Sequence, residues 1–245
     1  MTKRAPIAFS PERSLARKRP TKQPLPVVYI FCEGKITEPH YITSFFRDLC
    51  KDNRKVIPKI EKAAGVPYTL VEKCVEKKKE LLAFGRRDSL QKRSSVWAVF
   101  DVDIHPKLRE AIELARANDI AFSLSNPCIE IWGMMHLGVY ERPGSRHDAQ
   151  SALGAAMPPY HHDKSPIIPW DSCMSKVKQA VVNSHSALMR RNEDLSENGG
   201  ANPSTNFHDL LGFLSDEYSI SSILEENKKL QESIKSARKV RSSKT

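Results

Sequence analysis

The sequence lacks the features that mark several common classes of protein. Its five cysteines are scattered and odd in number, and no Cys-x-x-Cys pair occurs, which argues against a disulfide framework and a structural zinc site. No apolar run approaches the roughly 18 residues that a membrane helix needs. The basic N-terminus has no apolar segment of the kind that a secretory signal requires. We therefore expect a cytoplasmic protein with no membrane partner.

Positive charge is concentrated near the two ends of the chain. The formal net charge is +10, and residues 1–26 and 228–245 each hold seven Lys or Arg and one Glu, or +6 each. Frequent prolines and the absence of an apolar period predict that residues 1–26 are disordered, and we assign 228–245 as a second basic tail. Such tails are either solubilising arms or polyanion-binding arms, because Lys and Arg contacts to phosphate supply sequence-independent affinity.

Short apolar runs alternate with amphipathic segments in the first half of the chain. The predicted strands are 27–34, 55–61, 95–103 and 120–125. The predicted helices are 37–50, 69–85, 106–119 and a helix from Asn126 to Tyr140 that Asn126 caps, with Pro127 in its first turn. This alternation predicts an α/β domain over residues 27–140, with a parallel sheet flanked by helices. Residues 141–227 are predicted to form a helical C-terminal part.

Acidic side chains follow the predicted strands at the edge where parallel sheets bind their ligands. Glu33 ends the first strand, Asp101 and Asp103 end the third, and Glu130 lies in the helix after the fourth. The ligand crevice of such a sheet lies beyond the carboxyl ends of the strands. Residues two apart in a strand point the same way, so the two aspartates can face one cation.

The predicted donor set consists of carboxylates without His or Cys, which favours Mg²⁺ or Mn²⁺ over zinc. We predict a metal-dependent phosphodiesterase in which Asp101 and Asp103 hold one ion. Glu33 binds a second ion or acts as general acid or base, and Glu130 is a further ligand or orients a water. Aspartates at a strand end can also cap a helix or complete a turn, so a structural role for the pair stays open.

Other polar and aromatic residues near the predicted crevice have structural explanations. Lys35 can either neutralise a phosphate or be a solvated lysine. Glu38 lies in the first turn of a predicted helix, where a carboxylate is favourable in any case, and we interpret it as structural. His136 does not share a helix face with Glu130, so we predict that His136, like Trp132, belongs to the core.

Four segments taken together resemble the RloB-like family. They are CEGKITEPHYI (32–42), VFDVDIH (99–105), SNPCIEIWGMMH (125–136) and NPSTNFHDLL (202–211). The resemblance spans roughly residues 27–215 and implies a Toprim-like metal-binding fold with Glu33, Asp101, Asp103 and Glu130 in the active site. It also implies a role in anti-phage defence, often beside an ATPase partner.

The same resemblance includes a Tyr followed closely by a Lys, for which Tyr160 and Lys164 in PPYHHDKS are the nearest match. Lys35 and Lys164 are thus the candidate nucleic-acid contacts. The favoured function is a Mg²⁺-dependent endonuclease of DNA or RNA, with transfer RNA among the candidate substrates. The alternative is a non-catalytic metal-binding module that docks on a partner ATPase. A nucleotidyl- or glycosyltransferase ranks last, because the chain lacks a Gly-rich nucleotide loop.

Overall fold

The computed structural model describes most of the chain. The described residues are 24–52, 54–61, 65–85, 93–102, 105–191 and 200–242. Most of the predicted N-terminal tail lies outside these ranges, and so does Asp103.

A five-stranded sheet lies at the centre of the part of the chain that the structure describes. Its strands are β1 (Val27–Cys32), β2 (Ile57–Glu61), β3 (Ser95–Asp101), β4 (Ala121–Asn126) and β5 (Ser204–Thr205). Their order across the sheet is β2-β1-β3-β4-β5. The pairs among β1 to β4 are parallel and β5 is antiparallel to β4, which confirms the predicted α/β class.

Helices cover both faces of the sheet. They are α1 (Thr37–Leu49), α2 (Pro67–Gly85), α3 (Leu108–Ala117), α4 (Glu130–Met135), α5 (Arg146–Ala156), α6 (Trp170–Cys173), α7 (Val177–Arg191), α8 (Phe207–Leu214) and α9 (Ile220–Ser242). Apolar residues of α2 and α3 pack together on one face. Those of α1, α4, α7 and α8 pack on the other face, so the C-terminal helices complete the second core.

The side chains of β3 show how one strand serves both cores. Trp97 and Val99 pack with α1 and the C-terminal helices, whereas Ala98 and Phe100 pack with α2 and α3. Successive side chains of a strand point to opposite faces, so a strand covered on both sides needs an unbroken apolar run. This requirement explains why the segment reads as a buried strand in the sequence.

The direction in which the chain crosses the sheet changes between β1 and β3. From β1 the chain passes through α1 to β2 at one edge, and from β3 it passes through α3 to β4 on the other side. Helix α1 packs on one face and α3 on the opposite face. The carboxyl ends of β1 and β3 therefore flank a topological switch point, where open α/β sheets bind ligands.

Two local predictions were wrong, the helix cap at Asn126 and the wholly helical part after Tyr140. Asn126 does not cap a helix, because it pairs with Ser204 as the last residue of β4, and α4 begins only at Glu130. Residues 204–205 form a strand, so the part after Tyr140 is not wholly helical. Helix α9 reaches Ser242 and thus includes most of the predicted C-terminal basic tail. None of the described helices is both long and apolar enough to cross a membrane.

His136 lies in the core, as predicted. It is 2% exposed, and its Nδ1–H donates to the Trp132 carbonyl oxygen at 3.0 Å. With that proton on Nδ1, Nε2 accepts the Tyr41 hydroxyl hydrogen at 2.9 Å. Burial is the main reason why the pKa of His136 falls from 6.5 to about 4.

This burial predicts an acid-sensitive core. Between pH 6.5 and pH 4 the unfolded chain binds a proton that the folded ring excludes, so the free energy of unfolding should fall as the pH falls through this range. The loss should reach about 3 kcal/mol. Chemical denaturation at several pH values measures it. His136→Gln should flatten the pH dependence relative to the exposed-site control His147→Gln, and equal slopes in the two variants would contradict the prediction.

Candidate active site

Glu33 and Asp101 lie side by side at the carboxyl ends of β1 and β3. The backbone N–H of Glu33 donates to the Val99 carbonyl oxygen at 2.9 Å, which continues the pairing of the two strands. The Glu33 Oε2 atom accepts the backbone N–H of Asp101 at 3.2 Å. The structure therefore brings together two predicted site residues that are 68 positions apart. They meet at the switch point of the sheet.

Two further carboxylates complete an acidic cluster, which we define as Glu33, Glu38, Asp101 and Glu130. Glu130 is the first residue of α4 and is 3% exposed, and Asp101 is 7% exposed. Burial raises the pKa of Asp101 well above its usual range, and the negative charges of Glu38, Glu130 and Glu33 raise it further. The four carboxylates thus form one electrostatic unit.

Glu38 is the member of the cluster that the sequence interpretation missed. Its Oε1 atom accepts the backbone N–H of Gly34 at 3.2 Å, and the residue is 3% exposed. A Cβ atom on Gly34 would collide with the Glu38 carboxylate, so the glycine makes room for this contact. Burial raises the pKa of Glu38 to about 7, and the charges of Glu130 and Glu33 contribute to the rise. Its position in the first turn of α1 is a sufficient local explanation for a carboxylate, so the sequence interpretation did not assign Glu38 to the site.

Positively charged and hydrogen-bonding groups surround the cluster. The Arg146 guanidinium donates to Asp101 Oδ2 at 3.1 Å, and His105 Nε2 lies 3.4 Å from Glu33 Oε1. Arg146 was missed because helix α5, which it begins, was not predicted. The available signal was the S-x-x-D pattern before α5, in which Ser145 and Asp148 form a capping box.

Glu130 has partners from the turn that follows α5. The Tyr160 hydroxyl donates to Glu130 Oε1, and His162 Nδ1 lies 3.7 Å from the same oxygen. Tyr160 is buried, and this burial together with the nearby Glu130 charge raises the pKa of its hydroxyl. The tyrosine indicated by the family resemblance is therefore in contact with a predicted site residue.

The remaining predicted site residues are less constrained by the structure. Lys35 is exposed next to Gly34, and Lys164 is exposed in a turn closed by its N–H to the His161 carbonyl oxygen at 3.2 Å. Their contacts with nucleic acid stay predictions. So does the role of Asp103, which lies outside the described residues.

The donor chemistry of the cluster fits a hard divalent cation. Among the described residues, no three His, Cys, Asp or Glu side chains are arranged around one metal-ion position. The four carboxylates nevertheless offer only oxygen atoms, which Mg²⁺ prefers, and their mutual repulsion is what a cation relieves. One oxygen atom of Asp101 accepts from Arg146 and one of Glu130 accepts from Tyr160, so these donors share the carboxylates with any bound cation.

Fold and site define this chain as an α/β protein with buried carboxylates at the switch point of a mostly parallel sheet. Residues 28–214 match the family described as RloB-like protein. This match covers most of the chain, so the chain belongs to the RloB-like family, as the four sequence segments indicated. No curated protein and no solved structure matches the chain.

Neutralising Glu38 should stabilise the protein above neutral pH. Because the pKa of Glu38 rises from 4.5 to about 7 on folding, its contribution to stability is lost as the pH rises through this range. Glu38→Gln keeps an oxygen for the Gly34 N–H and should unfold with about 3 kcal/mol more free energy at pH 8 than the wild type. At pH 4.5 the two should be nearly equal. Denaturant titrations in EDTA measure this, with exposed Glu72→Gln as the control. A stabilisation independent of pH would contradict the prediction.

Removing the Tyr160 hydroxyl should destabilise the protein. Tyr160→Phe keeps the buried ring but deprives the buried Glu130 carboxylate of a donor. An unsatisfied buried acceptor costs about 1–3 kcal/mol. Denaturant unfolding at pH 8 measures the loss, and Tyr68→Phe at a half-buried position is the matched control. If the two substitutions cost the same, the hydroxyl contributes nothing specific to Glu130.

Proposed function

We propose that this protein is a Mg²⁺-dependent or Mn²⁺-dependent nuclease that hydrolyses phosphodiester bonds of DNA or RNA, transfer RNA included, in anti-phage defence. The observation that carries the proposal is the contact between Glu33 and the Asp101 backbone, inside a cluster of three buried carboxylates and one half-buried carboxylate at the switch point. Such a site is costly to fold unless it binds something positive. Membership of the RloB-like family agrees with the proposal.

The metal ligands would come from the acidic cluster and its neighbour in sequence. Asp101 and Asp103 would hold one ion, with Glu33 and Glu130 as further ligands or as ligands of a second ion. A bound divalent ion supplies positive charge that offsets both the carboxylates and an incoming phosphate.

The protein's own groups handle protons in the proposed hydrolysis. A water oxygen forms a bond to phosphorus and gives up a proton, the ester P–O bond breaks, and the leaving oxygen gains a proton. Glu33 is the half-buried member of the cluster and is the candidate to accept or donate such a proton. Glu38, whose pKa is about 7, is partly protonated at neutral pH and so reduces the repulsion felt by the other carboxylates.

The charge of the rest of the chain suits a polyanionic substrate. The net charge is +10 although the site itself is acidic, and the basic residues are concentrated near the two ends. Lys35 is exposed beside Gly34, where it can contact a phosphate. These charges attract nucleic acid to the molecule, and a bound divalent ion would offset the negative charge of the acidic cluster.

Asp101→Asn should abolish cleavage without unfolding the protein. The substitution removes a metal ligand but also a buried negative charge, so the melting temperature should lie within about 3 °C of the wild-type value or above it. Plasmid DNA, single-stranded DNA and transfer RNA are each incubated with Mg²⁺, Mn²⁺ or EDTA, and products are resolved on gels. Cleavage should require the metal and should vanish in the variant.

The control for this experiment is Asp52→Asn, which changes an exposed aspartate away from the cluster. It should cleave like the wild type. Metal-dependent cleavage that persists in Asp101→Asn would refute the assignment of Asp101. Thermal stabilisation by Mg²⁺ that depends on Asp101, with no cleavage of any substrate, would instead favour the non-catalytic metal-binding alternative.

A further inference from the structure

A cavity of about 320 Å³ lies beside the acidic cluster, between α5 and the turn that follows it. Its lining includes His147, Gln150, Ser151, Gly154, His161 and His162. The first four residues follow the 3–4 spacing of one face of α5. The cavity is therefore built by a regular helix face opposite a turn.

A chain of hydrogen bonds joins this cavity to Glu130. The Gln150 amide nitrogen lies 3.4 Å from His162 Nε2, and because an amide nitrogen only donates, Nε2 accepts and Nδ1 carries the ring hydrogen. His162 Nδ1 lies 3.5 Å from the Tyr160 hydroxyl oxygen, whose own hydrogen goes to Glu130. Each donor in this series of hydrogen bonds faces the next residue toward Glu130. A ligand in the cavity would therefore be connected to the acidic cluster through His162 and Tyr160.

The chemistry of the lining suits a nucleobase better than a phosphate. Three exposed imidazole rings, the buried Gln150 amide and the Ser151 hydroxyl offer flat faces and hydrogen-bonding groups, and the exposed Asp163 adds a carboxylate that would repel a phosphate. Among the described residues, no Lys or Arg lines the cavity. Unpaired bases are bound by stacking on rings, histidine included, and by hydrogen bonds to their edges.

We propose that this cavity binds one unpaired nucleotide of the substrate strand, directly next to the phosphodiester bond at the acidic cluster. The proposal rests on the proposed nuclease function and specifies its substrate as a single strand or a loop. The volume is near the lower end of ligand pockets, about 300–1,000 Å³, so it suits one nucleotide and no base pair.

Gly154 allows the cavity to be filled without a substitution in the acidic cluster. A Cβ atom built there would meet the Tyr160 carbonyl oxygen at 3.5 Å, an ordinary contact, so the helix tolerates a side chain at this position. Gly154→Leu should occupy the cavity. Ala155→Leu is the matched control, because Ala155 is the next residue of α5, is exposed and does not line the cavity.

Binding is measured in EDTA, by fluorescence anisotropy, with a fluorescein-labelled 12-nucleotide RNA used as a single strand and as a blunt duplex. Gly154→Leu should weaken single-strand binding about tenfold, which corresponds to the loss of one stacked base. Its duplex binding should stay within about twofold of wild type. Ala155→Leu should leave both affinities within the same range.

Three results would overturn the proposal: no single-strand binding by the wild type, unchanged single-strand binding by Gly154→Leu, or an equal loss for single strand and duplex. If Gly154→Leu does not melt cooperatively, His161→Ala at the exposed rim replaces it, with the same expected and contrary results. Because binding in EDTA requires neither metal nor cleavage, these results are separate from the failure of the nuclease assay with Asp101→Asn.

Discussion

Repulsion among the buried carboxylates of the acidic cluster is the constraint around which this structure is organised. Each pKa rise in the cluster has burial as its first cause and neighbouring carboxylates as a further one. The protein offsets the cost locally with donors from distant parts of the chain. Two are backbone N–H groups, of Gly34 and Asp101, and two are side chains, of Arg146 and Tyr160. A scaffold that supplies so many donors to one spot must be held rigidly, and the double-sided packing of β1 and β3 provides this.

The segment that consists of α5 and the turn after it contacts Asp101 and Glu130 and also lines the cavity. Arg146 at its start neutralises Asp101, Tyr160 at its end donates to Glu130, and the residues between them line the cavity. The segment is tied to the rest of the fold through Leu153, which is fully buried in the core. Under the proposed function, a ligand in the cavity would therefore be connected to Glu130 through the side chains of His162 and Tyr160.

The sheet and part of the site could be predicted from the sequence because their signals are local. A strand buried on both faces is an unbroken apolar run, as in residues 95–101, and the carboxyl-end rule then places Glu33 and Asp101 together. The parts that were missed depend on distant partners. Strand β5 has only two residues and exists because β4 pairs with it, and Asn126 is extended for the same reason. Glu38 has a sufficient local explanation at the start of α1, so nothing in its neighbourhood indicates burial beside Glu130.

The charge balance of the acidic cluster explains why Arg146 alone cannot make this site favourable for a negatively charged phosphodiester. Fully ionised, the four carboxylates of the acidic cluster carry four negative charges, and Arg146 returns one. A phosphate entering this site would add a further negative charge where solvent screening is weak. Partial protonation of Glu38 lowers the total but does not change its sign. Under the proposed function a divalent cation thus supplies the positive charge that holds the scissile phosphate at the acidic cluster. The neighbouring cavity follows the same logic, since its described lining holds Asp163 but no Lys or Arg, and it would add affinity through a base and leave the phosphate to the ion.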